Sequence, residues 1–452
     1  MLNVQGSPKD SYKLIPWLCD RLKETDQDTV AKWKATGGRF ERLFIAYGCS
    51  IKGFLAGCRP VLIIDGCFLT GPYRGTLLSA SAHDADNDLF PVAYAIVSGE
   101  TEDNWEWFME NVKEITRNVE ITIISDRNPG IITAVRNVFG SERHAYCYRH
   151  VKENFSKEFG RLIRGKTRVK AQQKEDALRL LDAIAYARLD EDYQSAMTKL
   201  SVFSPELAEW VETDGDVGKW ALSRFGFMRW DSMTSNLAES FNAWILEERK
   251  HNVCTFIHEH RFKLAAKMVA SKAELANWIN GVGPRTNDKL MEIVSSASNL
   301  YVQHYGGTLY ESHILVDHRV VRLVVDIGKH ECTCLAWQMS GLPCVHACAA
   351  IKLSHGNVFT FVDDCFKLAT QEKIYAHTMR PIATHDCPDP SNLTETQLAT
   401  WEFLEPPLTA RPSGRPKRKR IESQFQNKQV YHCGRCHEAG HTARTCKNPN
   451  PS

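Results

Sequence analysis

Short apolar runs separated by turn-forming residues dominate the first third of the chain. The run from Val61 to Ile64 is uninterrupted and ends at Asp65-Gly66, which predicts a strand buried on both faces. Residues 75–83 and 91–99 predict two more strands, and the polar stretch 84–88 between them predicts a turn. The pattern thus gives three consecutive strands.

After residue 100 the pattern alternates between helix and strand. Asp103 and Glu106 have the spacing of a capping box and predict a helix start. Apolar residues at helical spacing mark the buried face of this helix: Trp105, Phe108, Met109, Val112 and Ile115. A fourth strand at 121–124 ends at Ser125-Asp126, a second helix begins at Pro129, and a short fifth strand covers 144–148. This order predicts the α/β fold class with an RNase H-like core.

Composition places the chain among soluble globular proteins. It has 452 residues, 43% apolar and 24% charged, which suits two to four domains. No apolar run approaches the roughly 18 residues of a membrane span, so no membrane partner is expected. The N-terminus lacks the order of a secretory signal, so the 15 cysteines are expected to stay reduced rather than to form disulfides.

Two cysteine clusters have the spacing of metal ligands. Cys433, Cys436, His441 and Cys446 supply four soft ligands within a short segment, which predicts a zinc knuckle that binds structural Zn²⁺. Such knuckles contact single-stranded nucleic acid or another protein.

The second cluster is Cys332, Cys334, Cys344 and His346. Two β-rich runs precede it and a helical pattern follows, so a small zinc-stapled ββα module is predicted. The alternative is that these are plain small residues on an edge strand and at a helix start. Cys348 is the substitute ligand if the assignment is wrong.

Two acids stand at the ends of predicted strands that are neighbours in an RNase H-like sheet. Asp65 follows the first strand and Asp126 the fourth, and two carboxylates held together at neutral pH imply Mg²⁺ or Mn²⁺ between them. Glu239, on an amphipathic helix, is the candidate for a third carboxylate. Each acid also has a structural interpretation: a turn at Asp65-Gly66, a helix cap at Asp126, and a capping box between Asn236 and Glu239.

The near-neutral net charge of +2 conceals two basic segments. The segment from residue 149 to residue 174 contains nine Lys or Arg and only two Glu. This surplus of positive charge favours contact with a phosphate backbone. The alternative is a solvated helical face. The residues predicted to contact nucleic acid there are Arg149, Lys152, Arg161, Arg164, Lys166, Arg168 and Lys170. The stretch Lys417, Arg418, Lys419 and Arg420 has three interpretations, ranked in this order: a flexible linker, a nuclear localisation signal and a minor-groove contact.

Four segments together resemble a plant Mutator-like element (MuDR-type) transposase. They are residues 57–71, Ser125-Asp126-Arg127, residues 147–154 and residues 236–240. The Cys332 cluster then resembles a SWIM zinc finger, and the basic stretch and CCHC knuckle follow in the order of that family. The resemblance implies a DDE site of Asp65, Asp126 and Glu239 that cleaves and transfers DNA strands by two-metal phosphoryl transfer. It also implies a role for Cys147 and His150, either in DNA binding, in orienting the site or in structure alone.

The resemblance predicts seven segments along the chain. They are a helical lead-in at 1–56, the first part of the RNase H-like core at 57–155, a helical insertion at 156–230, the helix carrying Glu239 with those after it at 231–280, the SWIM finger at 300–360, a basic Pro-rich linker at 405–430 that forms a disordered tail, and the knuckle at 431–448. The family's N-terminal DNA-binding domain is expected to be missing.

The expected partners are DNA at element ends and target, and single-stranded nucleic acid for the knuckle. The expected location is the nucleus, and a homo-oligomer is compatible with these partners. Two other functions stay open: a domesticated, catalytically silent transcription regulator, and a zinc-knuckle nucleic-acid-binding protein with an inert core. Whether the chain is an active enzyme therefore stays open as well.

Overall fold

A seven-stranded mixed sheet organises the larger part of the molecule. The computed structural model describes residues 8–117, 119–162, 167–316, 319–389 and 404–407, with the backbone alone at 167–170 and 316. The strands of this sheet are β1 (Val30–Thr36), β2 (Arg39–Ala46), β3 (Val61–Phe68), β4 (Thr76–His83), β5 (Leu89–Val97), β6 (Thr122–Ser125) and β7 (His144–Tyr146). Their order is β1-β2-β5-β4-β3-β6-β7. Only the β3–β6 and β6–β7 pairs are parallel.

Helices cover both faces of this sheet and form a separate layer beyond it. In chain order they are α1 (Asp10–Lys13), α2 (Ile15–Thr25), α3 (Gly48–Gly57), α4 (Glu102–Thr116), α5 (Pro129–Val138), α6 (Tyr148–Leu162), α7 (Thr167–Tyr186), α8 (Asp190–Phe203), α9 (Pro205–Glu212), α10 (Asn236–Trp244), α11 (Val253–Glu274) and α12 (Pro284–Ser296). No helix in the described ranges is both long and apolar enough to cross a membrane. The α/β class is confirmed.

The five predicted core strands and the two helices between them are confirmed, with small differences at their ends. The cap of α4 differs from the prediction, because Thr101 Oγ accepts the Asn104 amide hydrogen bond at 3.3 Å. Asp103 therefore lies inside the first turn rather than capping it. The fifth strand, β7, ends two residues early because α6 begins at Tyr148.

The predicted helical lead-in is only partly helical. After α1 and α2, the hairpin of β1 and β2 pairs with β5 and extends the sheet. The outer strand β1 is only partly buried along most of its length, so its sequence carries a weak apolar signal. Residues 404–407 join this hairpin, since Phe40 N donates to Glu405 O at 2.8 Å.

The segment after β7 has a hydrophobic core of its own. Helices α6 to α9 bury a set of side chains distinct from that of the sheet: Val151, Phe155, Phe159, Leu181, Ile184, Leu200, Leu207 and Trp220. The chain then returns to the sheet through α10, which packs against β3, β4 and β5. The helical layer is therefore an excursion between β7 and α10.

A second sheet of four strands belongs to the cysteine-rich module. Its order is β11-β10-β9-β8, with β8 (Tyr301–Gly306), β9 (Leu309–Val316), β10 (Arg319–Asp326) and β11 (Glu331–Cys332). Helices α13 (Ala336–Ser340), α14 (Val345–Leu353) and α15 (Leu368–Ile374) follow. The module thus has four strands, whereas a ββα unit with two strands was predicted. The sequence pattern did not reveal β8, because it is almost wholly exposed, or β11, because it has only two residues.

The buried Asp84 ties the last helix to the sheet. Its Oδ1 accepts the amides of Asp86 at 3.0 Å and Asp88 at 2.8 Å. Its Oδ2 accepts Gln371 Nε2 and Tyr375 OH, both at 2.9 Å. One carboxylate therefore holds the β4–β5 turn and α15 together.

Replacing this carboxylate should loosen both elements. We expect Asp84→Ala to lower the free energy of unfolding by about 3 kcal/mol, because it leaves buried donors without acceptors. Tyr375→Phe removes one hydrogen bond only and should cost about 1 kcal/mol. Thermal denaturation of the purified chain measures both, and equal midpoints for the two variants would contradict this assignment.

Candidate active site and zinc centre

The parallel pairing of β3 and β6 sets the position of the first two candidate acids. Val61, Leu62 and Ile63 pair with Thr122, Ile123 and Ile124. Continued by two residues, the same register brings Asp65 beside Asp126. The predicted proximity of these two strand ends is thus a property of the sheet.

The structure does not contain the turn that was the alternative for Asp65 or the helix N-cap that was the alternative for Asp126. Gly66 pairs with Leu78 inside the β3–β4 ladder, so Asp65-Gly66 is not a turn. The N-cap of α5 is Asn128, whose Oδ1 accepts the Gly130 amide at 2.8 Å. Asp126 instead accepts the Asn128 amide through Oδ1 at 3.0 Å, which fixes its carboxylate at the end of β6.

Helix α10 meets the same strand end through Asn242. Its Nδ2 donates to Asp65 Oδ2 at 2.9 Å, and the residue is only 9% exposed. Its Oδ1 is buried and has no hydrogen-bond partner in the described part of the chain. An amide oxygen beside a carboxylate is a suitable donor for Mg²⁺ or Mn²⁺.

Glu239 lies one helical turn before Asn242 and so shares its face of α10. It forms an ion pair with Arg149, whose side chain is 7% exposed. A capping box was predicted between Asn236 and Glu239, but Asn236 is the first residue of α10. The N-cap is Ser235, whose side chain makes no capping hydrogen bond. Glu239 is therefore held near the site by a buried guanidinium.

Glu100, which the sequence pattern did not single out, lies beside the two aspartates. Its Oε2 accepts Asn128 Nδ2 at 2.9 Å, so Asn128 contacts both Glu100 and Asp126. Burial, followed by the charge of Asp126, raises the pKa of Glu100, against the hydrogen bond from Asn128. The sequence shows that residues 100–103 are mostly acidic, but the apolar periodicity does not indicate which of these acids lies near Asp65 and Asp126.

The environment of Asp65 disfavours its ionised form. Burial raises the pKa of Asp65 to about 6, the charges of Asp126 and Glu100 add to the rise, and the Gly66 amide and His150 oppose it. A carboxylate in such surroundings is stabilised when a cation compensates the neighbouring negative charges. The hard oxygen donors and the unpartnered Asn242 Oδ1 suit a divalent cation, but no three of the carboxyl groups in the described ranges have ligand atoms within 4.8 Å of one another.

Cys147 and its neighbour Tyr148 connect this site to the start of α10. The Ser235 amide donates to Cys147 Sγ at 3.2 Å, and the Tyr148 amide donates to Met233 O at 2.8 Å. Although burial opposes ionisation, hydrogen bonds with His150 and Ser235 lower the pKa of the Cys147 thiol to about 7. The contacts suit a role in orienting α10.

The predicted nucleic-acid contacts divide into different environments. Arg149 corrects the prediction, because it is buried and paired with Glu239 instead of facing solvent. Lys152 pairs with Asp182, and the largely exposed Arg161 pairs with Glu158. Arg164 and Lys166 lie outside the described residues, and at Arg168 and Lys170 only the backbone is described.

The second candidate centre brings four soft ligands together. The ligand atoms of Cys332, Cys334, Cys344 and His346 all lie within 4.8 Å of one another, and no other such group of three or more occurs in the described ranges. Cys332 Sγ and Cys344 Sγ each lie 3.7 Å from His346 Nδ1. Tetrahedral Zn²⁺ with ordinary bond lengths requires about 3.6 Å between such atoms.

The electrostatics of this cluster also suit a metal. Hydrogen bonds from Cys332 and Cys344 lower the pKa of the Cys334 thiol, while the pKa values of the Cys332 and Cys344 thiols are raised, so the cluster supports one thiolate beside two thiols. Cys348, the predicted substitute ligand, lies outside it: its Sγ donates to Pro343 O at 3.5 Å, and burial raises its pKa to about 12. The second predicted zinc site, at Cys433, Cys436, His441 and Cys446, lies outside the described residues, as do Lys417 to Arg420.

Comparison with protein families gives two matches that fall on these two centres. Residues 61–154 match the MULE transposase domain, and residues 318–353 match the SWIM zinc finger. The chain contains a MULE transposase domain. This MULE domain runs from β3 into α6 and includes Asp65, Glu100, Asp126, Cys147 and His150, whereas Glu239 lies beyond the matched residues. Both matches are consistent with a Mutator-like transposase.

Curated relatives of the chain include two bacterial proteins. Both are transposases for insertion sequence element IS256 in transposon Tn4001, one from Staphylococcus aureus and one from Enterococcus faecalis. Each is 29% identical over an alignment of 119 residues that covers 24% of this chain. The similarity spans 30% of the length of these relatives.

The raised pKa of Asp65 in the MULE domain predicts that its charge destabilises the fold. The unfolded chain has an ordinary value of about 4, so the folded state binds more protons between about pH 4 and pH 6. The resulting penalty grows as pH rises through this window and is complete above it. Asp65→Asn, in EDTA at pH 7.5, should therefore raise the stability by about 1–3 kcal/mol.

Differential scanning calorimetry at pH 7.5 and pH 4 measures this effect. The gain from Asp65→Asn should shrink at the lower pH, and Mg²⁺ should stabilise the parent more than the variant. A variant as stable as the parent in EDTA at pH 7.5 would contradict the assignment.

The cysteine cluster gives a second prediction with a control two helical positions from a ligand. Cys332→Ser should remove one equivalent of zinc from the purified chain and lower its melting temperature, because a three-ligand shell is incomplete. Cys348→Ser should retain the zinc, since its thiol lies outside the cluster. Atomic absorption after dialysis measures the content, and equal loss in both variants would overturn the ligand assignment.

Proposed function

We propose that this protein is a DDE transposase that cleaves and transfers DNA strands. The observation that carries the proposal is the β3–β6 register, which directs Asp65 and Asp126 to one edge of the sheet. The strand order β5-β4-β3-β6-β7, with an antiparallel first three strands, supports an RNase H-like core. The MULE and SWIM matches and the similarity to named transposases support DNA as the partner.

The proposed chemistry assigns separate tasks to the residues of the site. Asp65, Asp126 and Glu239 would hold divalent cations, which when bound supply an activated nucleophile and stabilise the leaving oxygen. Asn242 orients Asp65 through the hydrogen bond from Nδ2. Arg149 positions Glu239, and Cys147 anchors the start of the helix that carries it.

The SWIM module is proposed to bind one structural Zn²⁺ through Cys332, Cys334, Cys344 and His346. Four protein ligands close a tetrahedral shell and leave no open position for chemistry. The knuckle as a second zinc site, its preference for single-stranded nucleic acid, and nuclear localisation are further parts of the proposal that depend on the sequence motifs alone.

A strand-cleavage assay tests the proposal directly. The full-length chain should nick supercoiled plasmid in the presence of Mn²⁺, and Asp65→Asn should reduce the rate at least about 100-fold because it removes a central ligand. Asp288→Asn, an exposed position on α12, makes the same chemical change away from the site and should leave the rate unaltered.

Electrophoretic mobility shift with duplex DNA separates binding from cleavage. Duplex binding by both Asp65→Asn and the parent, with cleavage by the parent alone, is the expected result. Equal nicking by Asp65→Asn and the parent would refute the catalytic assignment, and binding without metal-dependent cleavage by the parent would favour a silent regulator.

A further inference from the structure

Glu100 is fixed in place by the connection between β5 and α4. Thr101 caps α4, and Asn104 Nδ2 donates back to Gly99 O at 2.9 Å and to Ser98 Oγ at 3.3 Å. The residues on both sides of Glu100 are therefore anchored. Its backbone lies at a defined position close to the strand ends that carry the aspartates.

Two contacts define where the Glu100 carboxyl group lies. Asn128 Nδ2 donates to Glu100 Oε2 at 2.9 Å, while the Asn128 amide donates to Asp126 Oδ1 at 3.0 Å. On the other side the carboxyl group packs on Gly66, where an added Cβ would lie 3.0 Å from Glu100 Cδ and Oε1. Glu100 thus touches the neighbours of both aspartates.

The protein balances the charges of this group only in part, because burial and the charges of Asp126 and Glu100 raise the pKa of Asp65 while His150 lowers it. No ion pair in the described ranges includes Asp65, Asp126 or Glu100, and Arg149 is already engaged by Glu239. An independent observation comes from α10, where the buried Asn242 is attached to Asp65 and keeps its Oδ1 without a partner. A buried oxygen without a hydrogen-bond partner, beside carboxyl groups that form no ion pair, is a suitable ligand for a divalent cation.

We propose that Glu100 is a further carboxylate of the divalent-cation site, entering from the β5–α4 connection. This inference rests on the proposed function, since it concerns the same cation site. Glu100 adds a negative charge next to Gly66, whereas α10 contacts Asp65 itself through Asn242. The site would then be bounded by Glu100 on one side and by Asn242 and Glu239 on the other.

Glu100→Gln separates charge from structure. A glutamine can still accept the hydrogen bond from Asn128 and still pack on Gly66, so a purely structural role would survive the change. Glu102→Gln is the matched control, because Glu102 is exposed and lies only two residues away in the first turn of α4. Gly66→Ala is a second variant that displaces the carboxyl group without removing any charge.

The experiment measures Mn²⁺ binding to the zinc-loaded full-length chain by isothermal titration and by electron paramagnetic resonance. We expect Glu100→Gln to weaken binding about tenfold, Gly66→Ala to weaken it as well, and Glu102→Gln to stay within about twofold of the parent. Asp65→Asn serves as the reference for a lost site. Circular dichroism identifies any variant that does not fold. If Glu100→Gln does not fold, Mn²⁺ binding by Gly66→Ala tests the role of Glu100 instead.

The outcomes distinguish this inference from the proposed function. Failure of the parent to bind Mn²⁺, or equal binding by Asp65→Asn, would refute the cation site and with it both proposals. Loss of binding in Asp65→Asn, with parental binding in Glu100→Gln and Gly66→Ala, would overturn the role of Glu100 alone.

Discussion

The pairing of β3 with β6 is the constraint on which the candidate site depends. These two strands come from different parts of the MULE domain and are joined by parallel main-chain hydrogen bonds in the middle of the larger sheet. Because the paired residues of both strands are all buried, a slip of one residue would move every side chain to the opposite face and disrupt the packing on both. The hydrophobic core therefore fixes the register, and the register fixes the two aspartates.

The contribution of α10 depends on a chain of main-chain contacts that begins at the same place. The Cys147 amide donates to Ser125 O at 2.8 Å, and Cys147 Sγ accepts the Ser235 amide at the start of α10. The long helical excursion between them consequently returns to a point set by the end of β6. The contacts of Cys147 thus join the end of β6 to the start of α10.

The sequence pattern was sufficient for the elements with strong periodicity and insufficient for those without it. Val61 to Ile64 predicts a buried strand, and strand order then predicts that Asp65 and Asp126 approach each other. Strand β1 and the exposed β8 carry no comparable apolar signal, so they were missed. For α4, the choice between Thr101 and Asp103 as the cap depended on backbone geometry that composition does not specify.

Within the site, single residues were harder to predict than the pair of strand ends. Asn242 could have been found from its spacing to Glu239 on one helix face, but Glu100 becomes distinct only through Asn128 and Gly66. Arg149 was misassigned because charge along the sequence does not reveal burial.

The ion pair between Arg149 and Glu239 affects the charge of the site. Glu239 is paired with Arg149, whereas no ion pair among the described residues includes Asp65, Asp126 or Glu100, so the negative potential that would attract a cation is concentrated at the strand ends. A cation bound there would then compete with Arg149 for Glu239, which would couple metal binding to the position of α10.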